Sequence, residues 1–192
     1  METGVIAETY RLALRPLVPA DAPAIAALMT PAVAARLLEW PAPMSVAQAR
    51  ERIDAGRAAL AADTGADLAI LRGGRPIGWI GARLVAAPRR LASIGYWLGS
   101  DFQGHGYMSE AAHAALPWLI DRLALAAVEA GVQERNFASQ AILEGLGLQL
   151  KARRRLFSPT RGTEEDALVF AAPAARLTLS PVAPDRRAYA MR

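Results

Sequence analysis

The sequence contains no cysteine and only two histidines among its 192 residues. Without cysteine the chain forms no disulfide bond and offers no thiolate, either as a nucleophile or as a zinc ligand. The histidines, His105 and His113, do not form the i,i+4 pair of a helical zinc motif. We therefore expect no metal site. The lack of cysteine agrees with a reducing compartment, and we expect a cytoplasmic protein.

Long apolar runs are missing as well. No stretch reaches the roughly 20 apolar residues that a transmembrane helix needs. The first residues, METGVIAETYRL, carry acids where a signal peptide carries basic residues, and they contain no apolar central region. We expect no membrane partner for this chain.

The body of the chain also lacks a large charge of either sign. The net charge is +4, and the segment Pro173 to Arg192 alone holds four arginines against one aspartate. A DNA-binding domain needs a basic face, so we expect no DNA partner, although the basic segment alone could contact RNA. Length and composition indicate one domain, residues 1–172, followed by a basic C-terminal tail, residues 173–192.

Hydrophobic periodicity predicts an alternation of strands and helices along this domain. Strands are expected at Tyr10 to Pro16, on both sides of Gly73-Gly74, at Leu91 to Leu98, after the central helix, and on both sides of the turn at residues 158–162. Helices are expected within residues 21–62, from about Tyr107 to Leu123, and from Asn136 to Gly145.

Several local signals refine these elements. Ser45 and Gln48 form a capping box before one helix, and Asp21 is expected to cap an earlier one. The segment "AVAARLLEW" is expected to be a short helix that carries Glu39 and Trp40. Pro117 lies inside the central helix, where we expect a kink or a break.

Two glycines stand between a predicted strand and a predicted helix, in "DFQGHGYMSEA", residues 101–111. Glycine costs backbone entropy, so a tight turn or the close approach of an anion to helix N-terminal amides should require it. The string G-x-x-x-x-G-K-[ST] of nucleoside triphosphatases does not occur in the chain. A dinucleotide-binding fingerprint needs a third glycine where Ser109 stands.

The loop resembles the acetyl-CoA pyrophosphate loop of the GNAT acetyltransferases, which that family writes Q/R-x-x-G-x-G/A. Met108 departs from the last position. The preceding "IGYWL" and the later "NFASQAILEGLGL", with Leu148 where the family has phenylalanine, resemble the branch that acetylates the N-termini of ribosomal proteins. The resemblance covers Tyr10 to about Ala172 and implies an α/β (α+β) fold: a mixed, mostly antiparallel central sheet of about seven strands, flanked by helices and splayed after the fourth.

The resemblance implies an N-acetyltransferase that moves the acetyl group of acetyl-CoA to an amine by direct attack in a ternary complex. The acceptor implied is a protein or peptide N-terminus, with a small-molecule amine as the alternative. A non-catalytic CoA-binding module is an alternative of another class. The protein is expected to be a monomer or a homodimer.

The resemblance also implies which residues bind acetyl-CoA. The strand Leu91 to Leu98 is expected to be bulged, and an N–H at the bulge would polarise the thioester carbonyl. Asn136 would bond the pantetheine arm, although it is also a good helix N-cap. The expected cofactor-binding residues are Trp97, Leu98, Gln103, Gly104, His105, Gly106, Tyr107, Met108, Ser109 and Asn136.

Two catalytic residues are expected from the same resemblance. Ser139 would protonate the departing thiolate, or would belong only to the first turn of its helix. Relatives often have an acid where this chain has Ser93, and a serine cannot act as a base unaided. Glu39 is the expected substitute, with a solvated helix acid as the alternative. The presence of Ser93 at this position is also the reason why a non-catalytic CoA-binding module stays an alternative.

Overall fold

The computed structural model describes residues 4–86 and 90–179, and these build one eight-stranded sheet with helices on both faces. The strands are β1 (Ala7–Glu8), β2 (Ala13–Pro16), β3 (Gly65–Arg72), β4 (Arg75–Ala86), β5 (Leu91–Leu98), β6 (Ala127–Gln133), β7 (Gln149–Ser158) and β8 (Thr163–Pro173). The α-helices are α1 (Ala22–Leu28), α2 (Pro31–Ala34), α3 (Val46–Ala61), α4 (Tyr107–Leu123) and α5 (Phe137–Gly145).

The strand order is β1-β2-β3-β4-β5-β6-β8-β7, and every neighbouring pair is antiparallel except β5 with β6. This confirms the mixed, mostly antiparallel sheet. The sequence predicted about seven strands, and the eighth is β1, only two residues long. A strand of two residues shows no alternation, so periodicity could not reveal it.

The sheet opens between β5 and β6. Their parallel pairing covers three positions and ends at Ser93 opposite Glu129, although both strands continue well beyond. The splay after the strand Leu91 to Leu98 is therefore confirmed. The bulge expected within this strand is wrong, because β5 pairs with β4 in regular register from Ala92 to Leu98. The irregularity lies in β4, between Leu84 and Ala86, so the opening comes from the loss of the β6 partner.

Two apolar clusters hold the helices to the sheet. Helix α4 buries Leu116, Leu119 and Leu123 completely against one face. Each such leucine contributes roughly 1.5–3 kcal/mol by leaving water. Helices α1 and α3 cover the other face, where Trp40 and Trp97 join the cluster. Within the described ranges, no helix has both the length and the apolarity needed to cross a bilayer.

Of the two helix caps predicted from the sequence, one is confirmed and the other is wrong. The capping box before α3 is confirmed, because the Ser45 hydroxyl accepts from the Gln48 N–H at 3.1 Å and the Gln48 amide oxygen accepts from the Ser45 N–H at 2.8 Å. The cap expected from Asp21 on α1 is wrong. Its carboxylate accepts instead two charge-assisted hydrogen bonds from Arg15, at 2.7 and 2.8 Å, and one from the Val18 N–H at 2.9 Å.

We expected a kink or a break at Pro117. Helix α4 continues through Pro117 to Leu123, so the break is wrong, and the kink stays a prediction. Pro117 lies on the exposed face of the helix. The proline therefore disturbs the hydrogen-bond ladder on the side that water can reach, and not against the core.

The helix expected for "AVAARLLEW" ends at Ala34, so Glu39 and Trp40 lie in the segment that follows α2. The Ala34 carbonyl, which a longer helix would pair with the Leu38 N–H, accepts instead from the Arg161 guanidinium of the β7–β8 hairpin at 3.3 Å. The same hairpin also bonds two later carbonyl groups of this segment. The Ser158 hydroxyl donates to the Leu38 carbonyl at 2.9 Å, and the Arg161 guanidinium donates to the Leu37 carbonyl at 2.9 Å. Long-range hydrogen bonds therefore hold residues 34–38 against the hairpin. We call residues 34–38, held in this way, the clamped segment.

The beginning of the predicted tail contacts the domain. A short 3-10 turn, Ala174–Arg176, follows β8, and the Thr178 N–H donates to the Leu146 carbonyl at 3.0 Å. Leu177 and Leu179 pack against the main core. Residues 180–192, which hold three of the tail's four arginines, lie outside the described residues. The division of the chain at residue 172 stays a prediction.

Candidate functional site

A cleft of about 630 Å³ lies where β5 and β6 diverge. It is lined by residues of both strands, the loop before α4, the start of α5 and the segment after α2. Eleven of the twelve predicted site residues line it: Glu39, Trp97, Leu98, Gln103, Gly104, Gly106, Tyr107, Met108, Ser109, Asn136 and Ser139. The twelfth, His105, is exposed outside the cleft with its ring stacked on Tyr107.

The two glycines of the loop adopt the left-handed conformation. Gly104 has φ +77° and Gly106 has φ +76°. L-residues rarely adopt this region, so the tight turn that the sequence suggested is real. A Cβ placed on Gly104 would meet no atom within 4 Å. Backbone conformation therefore requires glycine at this position, and the space above the loop remains open for a ligand.

The loop also presents a row of free donors. The N–H groups of residues 104–109 have no hydrogen-bond acceptor in residues 4–86 and 90–179, whereas the next N–H, that of Glu110, bonds the Gly106 carbonyl at 3.1 Å. Helix α4 begins at Tyr107, and its N-terminus carries a partial positive charge. Free N–H groups at the positive end of a helix form a site for an anion such as a pyrophosphate.

Arg11 holds this loop from outside the cleft. Its guanidinium donates to the His105 carbonyl at 2.9 Å and pairs with Glu110 in the first turn of α4, at 2.6 Å. It also lies over the Tyr107 ring, 4.4 Å from the centroid. Sequence reasoning missed Arg11, because nothing local links it to a loop more than 90 residues further along the chain.

Gln103 ties the loop to the end of β5. Its side-chain amide donates to the Leu98 carbonyl at 2.9 Å. From Ile94 to Leu98, β5 pairs only with β4, so its other edge faces the cleft. Backbone groups on an unpaired edge can bond an extended ligand as a further strand would.

The start of α5 brings three polar groups together. The Asn136 carboxamide oxygen accepts from the Ser139 N–H at 3.3 Å, so Asn136 caps the helix. The Ser139 carbonyl accepts from the Tyr96 hydroxyl at 3.2 Å. Burial raises the pKa of Tyr96, so its phenol stays protonated. Sequence reasoning missed Tyr96, which resembled an ordinary strand aromatic in "IGYWL".

Three tryptophan side chains line the cleft next to the clamped segment. The Trp40 ring lies 5.2 Å from that of Trp79 and 5.1 Å from that of Trp97. The Arg52 guanidinium stacks on Trp40 at 4.6 Å, and burial lowers the pKa of Arg52. Trp40 itself lies in the cleft lining.

Two carboxylates line the cleft among the described residues, Glu39 and Glu129. Glu39 is exposed, and its backbone carbonyl accepts from Arg52. Glu129 is half-buried and directly opposite Ser93. Sequence reasoning missed Glu129 because it lies in an alanine-rich strand whose register with β5 cannot be read from the sequence. The described residues hold no group of three or more acidic or histidine side chains that could bind a metal ion.

The sequence of this chain is similar to that of known proteins. A family model described as "Acetyltransferase (GNAT) domain" matches residues 11–149. The protein named "Probable N-acetyltransferase YjcK" from Bacillus subtilis (strain 168) is 32% identical over 89 residues, which are 46% of this chain and 49% of that protein. The match thus spans about half the length of this curated relative.

Solved structures share the fold. RimL, described as ribosomal L7/L12 alpha-N-protein acetyltransferase in complex with coenzyme A, superposes with a TM-score of 0.77 at 20% identity, over 88% of this chain and 98% of that one. Mycobacterium smegmatis RimJ, in complex with a CoA-disulfide, gives a TM-score of 0.74 at 24% identity, over 88% of this chain and 85% of that one. At these identities the likeness shows the fold alone.

Proposed function

The chain belongs to the GNAT acetyltransferase family, and from this premise we propose that it transfers the acetyl group of acetyl-CoA to an amine by direct attack. The observation that carries the proposal is the row of free N–H groups at residues 104–109, a loop at the N-terminus of α4 whose residues other than His105 line a cleft. Left-handed glycines at 104 and 106 give this loop its conformation.

The residues present fit acetyl-CoA. The amides of residues 104–109 would bond the pyrophosphate, and the free edge of β5 near Trp97 and Leu98 would bond the pantetheine arm. Asn136 would contribute its carboxamide N–H groups to the arm while its oxygen caps α5. His105 would contribute through its backbone N–H, since its ring lies outside the cleft. Acetyl-CoA supplies the acetyl group as a thioester.

Direct attack by the amine fits the side chains of the cleft. No cysteine exists in the chain, and none of the hydroxyl groups of Ser93, Ser109 and Ser139 is hydrogen-bonded to a histidine or a carboxylate in the described part of the chain. An activated nucleophile would need such a partner. We propose that Ser139 gives a proton to the departing thiolate and that a cleft carboxylate, Glu39 or Glu129, receives a proton from the amine.

The proposed acceptor is a protein or peptide N-terminus. Its support is the likeness of fold to RimL and RimJ and a cleft wall formed by Trp40, Trp79 and the clamped segment, between which an extended chain end could lie. A cytoplasmic location and a monomeric or homodimeric state remain predictions, as does a domain of residues 1–172 followed by a tail.

The test is to incubate the protein with acetyl-CoA and a mixed pool of peptides and small amines and to identify acetylated products by mass spectrometry. Acetylated peptide N-termini would support the proposal, and acetylated small amines alone would favour the small-molecule alternative. Calorimetric binding of acetyl-CoA without any acetylated product would favour the non-catalytic module. A protein that does not bind acetyl-CoA would contradict the whole proposal.

A further inference from the structure

Glu129 lies at the apex of the opening between β5 and β6. It forms the last parallel pair with Ser93, and beyond this pair the strands separate. Neighbouring strands are about 4.8 Å apart, and paired residues direct their side chains to the same face. The Glu129 side chain therefore lies one strand away from that of Ser93.

The alternation of each strand fixes the face on which these two side chains lie. Val128 and Ala130 are buried in the main core, 0% and 4% exposed, so Glu129 between them lies on the opposite face. Ala92 and Ile94 flank Ser93 in the same way. Ser93 and Glu129 accordingly both line the cleft, on the face that also carries Trp97.

Glu129 is not neutralised by a neighbouring cation. Arg83 pairs with Ser93 across β4 and β5, but its guanidinium is bound to the buried Asp67, with one N–H···O distance of 2.8 Å. On the other side of Glu129, its β8 partner is the uncharged Ala171. Among residues 4–86 and 90–179 the Glu129 carboxylate makes no hydrogen bond or ion pair. The other charged residues that line the cleft are Arg36, Glu39, Arg83 and Arg154.

A half-buried carboxylate without a counter-ion, in a cleft that binds an amine, attracts the acceptor as its ammonium form and retains free lone pairs for its proton. We propose that Glu129 is the general base of this enzyme, supplied one strand away from Ser93. This inference rests on the proposed amine acetylation.

The proton balance is complete. Glu129 takes one proton from the ammonium, directly or through a water, and the neutral nitrogen attacks the thioester carbonyl carbon. The carbon–sulfur bond breaks, and the second proton on the nitrogen leaves as the amide forms. The thiolate receives one proton and Glu129 releases the other to solvent. An ammonium and acetyl-CoA thus give an amide, the CoA thiol and one proton.

The experiment measures kcat/KM for the acceptor between pH 6 and pH 9.5 in the wild type, Glu129→Gln and Glu39→Gln. Glu51→Gln is the matched control, because Glu51 is an exposed acid on α3 that does not belong to the cleft lining. At pH 6.5 Glu129→Gln should lose roughly 10²-fold or more, the usual range for a lost general base. The loss should shrink above the amine pKa of about 8, where the amine is already neutral. Acetyl-CoA affinity should not change.

A second substitution distinguishes the loss of a general base from a loss of folding in Glu129→Gln. Ser93→Glu in the Glu129→Gln background should restore part of the activity at low pH, since the new carboxylate stands on the same face one strand away. A Glu129→Gln profile that matches the wild type, or a loss equal at all pH values and not rescued by Ser93→Glu, overturns the inference. Either of these results would exclude Glu129 as the base but would leave the proposed amine acetylation standing. That proposal fails if the wild type acetylates no amine.

Discussion

Replacing Gly104 with alanine should weaken acetyl-CoA binding about tenfold while the fold remains intact. The residue has φ +77°, where an L-residue costs roughly 1–2 kcal/mol. A Cβ would meet no atom within 4 Å, so no steric cost is added. The N–H groups of residues 104–109 have no acceptor in the described chain. In the variant without ligand, the loop can therefore move to a less strained conformation without losing hydrogen bonds. The strain would then appear on binding, as a roughly 5- to 30-fold rise in Kd.

Calorimetric titration with acetyl-CoA measures this change, and two further variants test its cause. Gly104→Asn adds a larger side chain than alanine, but asparagine tolerates the left-handed region, so its loss should be smaller. Gly145→Ala is the control, because Gly145 also has open space around it but lies in α5 without a positive φ. Its acetyl-CoA affinity should equal that of the wild type. A loss that increases with side-chain size, or wild-type affinity in Gly104→Ala, would refute the reasoning.

Three other results are expected. Ser139→Ala should lower kcat by roughly 10²–10⁴-fold with little change in the KM for acetyl-CoA, because the backbone bonds of Ser139 to Asn136 and Tyr96 survive; wild-type kcat would leave Ser139 a helix residue only. Replacing both Leu177 and Leu179 with serine should lower the melting temperature, because these side chains pack against the main core. An unchanged melting temperature would contradict this. Hydrogen bonding to Arg161 lowers the pKa of Glu165. The ionised Glu165 therefore stabilises the fold above about pH 4.5, and this stabilisation is lost as the pH falls through the lowered pKa. Glu165→Ala should reduce the melting temperature more at pH 7 than at pH 3, and an equal reduction at both would exclude an ionic cause.

The parts of the site that the sequence predicted are local in the chain. The loop conformation, the start of α4 and the Asn136 cap each depend on residues within one or two turns, so their signals lie side by side. Gly104 and Gly106 are informative because few other residues accept a positive φ.

The parts that the sequence did not predict depend on pairing between distant segments. Glu129 is recognised as a candidate base only from its register with Ser93. Arg11 is recognised as a support of the loop only from its contact with the His105 carbonyl. The predicted helix around Glu39 failed for the same reason, since a hairpin more than 100 residues later bonds the carbonyl groups of Ala34, Leu37 and Leu38. Local propensity cannot anticipate a competitor of this kind.

The clamped segment also has a consequence for how the protein is made. Its bonds join Leu38 to Ser158 and Thr160, and Leu37 to Arg161, so they close loops of about 120 residues. Contacts of such high sequence separation form late, because the entropy of loop closure must be overcome first. On the ribosome, the last hairpin emerges only after the glycine loop and α4 have been synthesised. A nascent chain can therefore form the glycine loop before the bonds of the clamped segment exist.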